Sequence, residues 1–543
     1  MMNTSGPQHV EDVRTLPDAE VVPEVHVHGK TIIVVIATNA IVFSQLFAVI
    51  GSGLLAQGTS SLLGDSSKSV WLSTVIAIFT LALNPPLSQA ADYWGRRWII
   101  VITSVFGVIG SLVISRAQDI ATLIVGFCIL GIAFGCQSLL YAVVSEVLPR
   151  KFRPLGQASL NITSAIAAVV GILLGGGLLR HNNLENYRIY WYVAAGFYAV
   201  GTLGILLGYN PPPRELQALT VTEKLRRLDW VGYCLITIGL TLFSIGLQWS
   251  GNPYTWHDAP VLAPFIIGMS LMLGFCVFEW RFKADGLLNH KLFGHRNFPI
   301  SLFAVFLEGL AFFTTNTYFA FEVSLLGGND LFEAGLRFII LFAGGVVFSF
   351  LVGLYSTKTK SLRGPGIGLG LILTTITVAA QMSTPAELIS VTTGLVTACR
   401  SLGGAVGLAI NSAIFSNTLS SNLPKDVAAA VVPLDFPLES LGELIQALAS
   451  NDPATIAKVP GATPQIIGAA VEALKEAYST SFRNTWIAAC SFCAVGVVAA
   501  CFCRNPTSEF NGHIDAPAEV SLVELQKELE AFEIEITHQE LKE

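Results

Sequence analysis

The residues able to do chemistry in this chain are few, and several stand where charge is expensive. Glu308 lies within the apolar stretch Ala304-Val-Phe-Leu-Glu-Gly-Leu310, and Arg400 lies well inside the run 388–415. Burial favours the neutral form of a carboxyl, so Glu308 could take up a proton on one side of an apolar barrier and lose it on the other. Its alternative role is structural, a hydrogen bond to a neighbouring helix. Arg400 cannot stay unpaired in such surroundings; it either binds an anionic ligand group or neutralises an acid such as Glu308. Neutral hydrogen-bonding groups occur in apolar runs too: Asn316 with Thr314, Thr315 and Thr317, Gln137, and Asn39 with Gln45. They suit a polyoxygenated ligand, or they tie helices together. Phe306, Phe312, Phe313 and Tyr318 line a cavity or face lipid.

No constellation for covalent or acid–base catalysis accompanies these residues, and no Gly-x-x-x-x-Gly-Lys-Ser/Thr loop for ATP is present. The nine cysteines fall in or beside apolar runs without zinc-ligand spacing, so neither metal nor cofactor is expected. His26 and His28 lack a third ligand nearby. A formal net charge of −7 without a basic, aromatic-bearing patch argues against a nucleic-acid partner.

The elements that position these groups are set by composition. Hydrophobic residues make up 52% of the 543 and charged residues 13%, about half the charged share of a soluble domain. Apolar runs near the ~20 residues needed to cross a bilayer fall at 31–54, 70–86, 98–115, 119–143, 157–178, 189–208, 228–248, 259–280, 298–322, 332–355, 366–382, 388–415 and 484–503. Residues 1–29 carry no signal-peptide pattern and are expected to be a disordered tail. With the N-terminus inside, alternate loops up to residue 363 hold sixteen lysines and arginines against five in the opposite loops. That bias predicts a cytoplasmic N-terminus.

Two charged turns punctuate the first half. Pro86-Leu-Ser-Gln-Ala-Ala-Asp92-Tyr-Trp-Gly95-Arg96-Arg97-Trp98 joins two apolar runs, with Gly95 where antiparallel backbones must approach. It resembles the loop between the second and third helices of the major facilitator superfamily, with Asp92, Gly95, Arg96 and Arg97 matching and Ser88 and Tyr93 departing from the pattern. Ser145-Glu146-Val-Leu-Pro149-Arg150-Lys-Phe-Arg153, Cys399-Arg400-Ser-Leu-Gly403-Gly404-Ala-Val-Gly407 and Phe510-Asn-Gly-His-Ile-Asp-Ala516 resemble the fungal trichothecene-efflux and siderophore-transport branch. Leu228-Asp229-Trp230-Val-Gly232 resembles the seventh-helix opening of its fourteen-helix members.

The resemblance implies an all-α polytopic membrane protein of two six-helix-type bundles with two extra linking helices. The divisions expected are a tail 1–29, a first bundle 30–208, a linker 209–227, the extra helices 228–281, a second bundle 282–504 with a loop 417–483, and an acidic tail 505–543. Only thirteen runs are found, and after Arg363 the chain passes straight into Gly364-Pro-Gly, so the second bundle is incomplete by about one helix. If 366–382 fails to cross, twelve crossings restore the orientation that the resemblance implies; if it crosses, the tail lies on the opposite side.

The implied function is proton-coupled efflux of small amphipathic molecules across the plasma membrane by a monomer, with the bilayer, protons and the substrate as partners. Proton-coupled siderophore-iron import and a transport-inactive membrane protein are the alternatives. Asp92, Glu146, Arg96, Arg97, Arg150 and Arg153 would form a network closing the inner face, each exposed pair contributing ~0–1 kcal/mol. Gly171, Gly175, Gly176 and Gly177 occupy the place of the antiporter motif without its proline, and with Gly403, Gly404 and Gly407 they are expected to let helices pack closely. The arginine usual in the fourth helix of exporters is absent from Phe127-Cys-Ile-Leu-Gly131.

Overall fold

The computed structural model describes residues 28–63, 69–179, 184–213, 215–249, 256–283, 286–327, 331–362, 372–434, 436–449 and 459–518. Most of the tail expected over 1–29, and the acidic end 519–543, lie outside the described residues. Among the described residues every regular element is helical, and twelve helices are long and apolar enough to cross a membrane.

The first half runs α1 (Gly29–Leu54), the short α2 (Ala56–Leu62), α3 (Ser69–Trp94), α4 (Arg96–Arg116), α5 (Ile120–Phe134), α6 (Gln137–Val147), α7 (Arg153–Leu179) and α8 (Tyr187–Gly208). α5 and α6 share one crossing. α1 packs against α7 and α8, and α4 against α5 and α8. Glycine permits these approaches: a Cβ on Gly110 would lie 2.4 Å from the Leu130 backbone nitrogen. Buried polar groups find partners on other helices, as where Ser44 Oγ donates to the Ala194 carbonyl at 2.7 Å and Tyr190 OH to that of Phe47 at 2.7 Å.

The polar turn expected over 86–98 is much shorter than its composition suggests. α3 continues through Pro85 and Pro86 to Trp94, and Gly95 alone, at φ 87°, breaks the chain before α4. The polar side chains of this last stretch are satisfied inside the protein: Ser88 Oγ bonds the Asn84 carbonyl and Ser138 Oγ, each at 2.7 Å. They therefore need no loop.

After the short α9 (Val221–Arg227), α10 (Trp230–Trp249) and α11 (Ala259–Arg281) form an antiparallel pair. Thr237 Oγ1 of α10 donates to the Ala82 carbonyl of α3 at 3.0 Å, seating the pair on the first half. The second half comprises α12 (Asn297–Gly327), α13 (Leu331–Thr359), α14 (Ile372–Met382), α15 (Ile389–Val431), α16 (Leu441–Ala449) and α17 (Pro464–Cys501). Its packing repeats the first half: α12 meets α15 and α17 as α1 meets α7 and α8, while α7 faces α13 and α3 faces α15 between the halves.

Of the thirteen apolar runs, twelve correspond among the described residues to helices long and apolar enough to cross a membrane. Within 366–382 only the eleven residues of α14 are described as helix, and 366–371 lie outside the described residues. Leu362, after α13, and Ser383, after α14, lie at one face. Asn297 Nδ2, at the start of α12, donates to Ser383 Oγ at 3.2 Å and to the Arg504 carbonyl at 2.8 Å. Leu362 N, after α13, donates to Asn505 Oδ1 at 3.0 Å. The end of α17 therefore shares the face of the α13 end and the α12 start, and the end of α15 and the start of α17 lie at the opposite end. Between α13 and α14 the described residues hold no counterpart of α4.

α15 and α17 extend far beyond the runs 388–415 and 484–503. Their outer ends pack with α16 around Val427, Val431, Leu444, Ala470 and Ala477. This extramembrane cap has its own apolar core, built at helical spacing among polar residues.

Candidate functional site

α12 and α15 touch backbone to backbone. A Cβ on Gly309 would lie 2.1 Å from the Arg400 carbonyl, one on Gly403 2.0 Å from that of Phe306, and one on Gly407 2.6 Å from that of Leu310. Gly404 faces the Phe313 ring. This contact sets Arg400 beside Glu308 in a bidentate pair, Nε to Oε2 at 2.7 Å and an Nη to Oε1 at 3.0 Å. Glu308 is 9% exposed, and the guanidinium lies 4.5 Å from the Phe312 ring centroid, where the ring face also stabilises it. Glu308 stands eleven residues along α12 from Asn297, ~16 Å of rise and close to half the apolar thickness. Across the interface Tyr141 of α6 lies within electrostatic reach of both charges.

The first half holds a neutral counterpart. Thr163 Oγ1 donates to Asn39 Oδ1 at 2.7 Å, and Asn39 Nδ2 to Ser159 Oγ at 3.3 Å. Asn39 and Thr163 are each the eleventh residue of their helices, and Glu308 and Arg400 the twelfth. The two pairs thus occupy matching heights in matching helices, one neutral and one ionic.

The other candidates divide. Gln137 is half-buried at the start of α6, whereas Gln45 is buried and donates to the Ala133 carbonyl at 2.8 Å, a helix-joining position closed off from any chamber. Asn316 Nδ2 bonds the Phe312 carbonyl of its own helix at 2.8 Å. Gly171 faces the Tyr190 hydroxyl and Gly175 the Leu54 side chain. Gly176 is half-buried. At exposed Gly177 a Cβ would meet nothing within 4 Å, so close packing stops short of it.

The six charged residues expected in one network separate into three groups. Arg96 pairs with Asp92 at 3.1 Å and with Glu146, and its Nε donates to Ser390 Oγ of α15 at 2.7 Å. Gly95 supplies the break that puts Arg96 there. Arg97 instead bonds Asn210 Oδ1 at 2.8 Å and the Leu206 carbonyl at 2.7 Å. Arg150 and Arg153 turn to acids of the C-terminal segment, Glu509 and Asp515. Ser145 Oγ donates to Gln381 Oε1 at 2.7 Å, a second link between the halves at this face. Ser390, Gln381 and Glu509 carry no motif of their own; Asp515 lies within Phe510–Ala516, the one available signal.

Two facing groups of apolar helices, joined at one face and with a paired acid and base inside the second group, are the architecture of an integral membrane transporter. The Major Facilitator Superfamily model matches residues 32–432, and the chain belongs to that superfamily. The fungal trichothecene efflux pump model matches residues 364–517. Relatives include the MFS-type transporter ucsD of Acremonium sp, 25% identical over 390 residues, 65% of this chain and 66% of that protein. The efflux pump FUS6 of Gibberella moniliformis is 23% identical over 513 residues, 86% of this chain and 87% of that protein. The trichothecene efflux pump TRI12 of Fusarium sporotrichioides is 22% identical over 495 residues, 83% of this chain and 82% of that protein.

Proposed function

We propose that this transporter exports small amphipathic molecules across the plasma membrane in exchange for protons, with the arginine-bearing face cytoplasmic. The observation that carries the reading is the bidentate Glu308–Arg400 pair at mid-depth. While Glu308 is ionised, Arg400 is neutralised and the pair is compact. A proton arriving on Glu308 removes that partner and leaves a cation beside Phe312 and Phe313, a state that favours rearrangement of α12 against α15. Asn39, Thr163 and Gln137 offer neutral hydrogen bonds on the facing wall, which suits an amphipathic, oxygen-bearing ligand. The printed names of the relatives, efflux pumps among them, support export over import.

The test is efflux of a fluorescent amphipathic dye from proteoliposomes under an imposed pH gradient. Wild-type protein should move dye in proportion to the gradient, and Glu308→Gln should reach the membrane normally but lose that dependence. Gradient-driven efflux unchanged in Glu308→Gln would remove the proposed proton site. A second reading, a transport-inactive chain, is favoured by the lack of a counterpart of α4 among the described residues; it predicts no dye movement until a crossing is inserted after Arg363.

A further inference from the structure

The segment following α17 crosses from one half of the protein to the other. It leaves the second half at Asn505, whose side chain accepts from Leu362 N at 3.0 Å. Phe510, 4% exposed, then wedges among Leu362, Val378, Ala379 and Met382 at the ends of α13 and α14. From there the chain reaches the first half and bonds it through backbone. Lys151 N donates to the Asn511 carbonyl at 3.0 Å, Arg150 N to that of His513 at 3.0 Å, Ala516 N to the Glu146 carbonyl at 3.1 Å, and Asn210 N to that of Ala518 at 2.8 Å.

A buried charge cluster fixes the crossing. Asp515, its side chain 1% exposed, accepts from Arg150 at 2.8 Å and pairs with Arg153, itself 1% exposed, while Glu509 takes the other side of Arg150 and His513 stands 3.6 Å from Asp515. A tail packed only for stability could lie on one half; this one has an apolar anchor in one and an ionic anchor in the other. It also touches Glu146, which pairs with Arg96, the residue hydrogen-bonded to Ser390 across the same face.

We propose that residues 505–518 are a latch holding the two halves together at the arginine-bearing face, and that release of Asp515 from Arg150 and Arg153 is a step in opening that face. The proposal rests on the rocking of the two halves assumed under the proposed function. Because the latch is joined to α17 by a few residues, its release from the first half frees the bundles from each other without unfolding either. Asp515 is a positioning residue; it touches no substrate.

The test uses the full chain with its nine native cysteines replaced, a reporter cysteine at Ser88, and a membrane-impermeant maleimide applied from the arginine-bearing face. Ser88 lies against Gly394 of α15, between the halves, so it labels only when they part. A Lys151→Cys/Asn511→Cys pair, at a site joined by the bond from Lys151 N to the Asn511 carbonyl, should block alkylation at position 88, read on the peptide that carries it by mass spectrometry, when oxidised and restore it when reduced. Asp515→Asn and Phe510→Ala should each label at least about tenfold faster, the loss of one charge-assisted or buried contact. Equal labelling of oxidised and reduced forms, with the crosslink verified, overturns the latch while leaving rocking intact. No labelling in any form overturns rocking and the latch with it.

Discussion

Glu308 and Arg400 should be energetically coupled, and the geometry sets the scale. Removing one partner of a fully buried ion pair costs ~3–5 kcal/mol because the other charge is left uncompensated. Here the Arg400 side chain keeps 21% exposure and retains the Phe312 and Phe313 ring faces, so Glu308→Gln alone should cost about 2–3 kcal/mol of that. Arg400→Gln alone should cost a similar amount. The double variant, two amides facing each other, restores a neutral hydrogen bond and should cost much less than the sum. A double-mutant cycle on unfolding in detergent micelles should therefore give a coupling of ~2 kcal/mol. The proton dependence of dye efflux should be lost in all three variants, because the double variant regains stability without a titratable group. Additivity within about 0.5 kcal/mol would refute the pairing as the organising contact between α12 and α15. Proton-dependent efflux by the double variant would refute its role in coupling.

Gly309→Val should separate α12 from α15, because its Cβ would meet the Arg400 carbonyl at 2.1 Å; overpacking of this kind costs ~1–3 kcal/mol or more, read as lost thermal stability, whereas Gly177→Ala should be neutral in the same assay. Ser390→Ala removes the partner of Arg96 Nε in the second half, and Ser88→Cys labelling from the arginine-bearing face should quicken about tenfold, since a hydrogen bond to a charged group contributes ~1.5–3 kcal/mol. Asp119, the N-cap of α5, accepts from Thr122 N at 2.8 Å, which holds its carboxyl below the ordinary carboxylate range. A lowered folded-state value means the cap's contribution is present above the ordinary value and lost as pH falls through the lowered one. Amide exchange in the first turn of α5 should rise in acid by way of Asp119, and Asp119→Asn should flatten that rise.

The parts of the fold legible in the sequence were the continuous apolar runs. The six runs of the first half and the extra pair correspond to the eight crossings built from α1, α3 to α8, α10 and α11 because a crossing must be apolar throughout its length. Lost were the features that depend on neighbours. The turn at 86–98 is polar in composition, yet Ser88 finds partners within the bundle and the helix simply continues to Trp94. The extent of α15 and α17 depends on an outer core around Val427 and Ala470 that no hydropathy window registers. The run 366–382 has the composition of a crossing, yet Ser383 beyond α14 returns to the face where α13 ends, which composition does not register.

At the site, the sequence singled out Glu308 and Arg400 and left open whether they meet; glycines on both sides of the contact decide it. Charge alone grouped Arg150 and Arg153 with Asp92 and Glu146. Their partners Glu509 and Asp515 lie more than 350 residues away in the chain, beyond the reach of spacing.

Rocking of the halves is the claim on which transport, proton coupling and the latch all depend. Its most direct measurement is the distance between spin labels at exposed Trp98 and Lys358, one on each half at the arginine-bearing face, in lipid bilayers at several pH values. Two distance populations are expected, the longer one gaining share in Asp515→Asn and changing share with pH in wild type but not in Glu308→Gln. A single distance, the same in every variant and at every pH, would contradict the account.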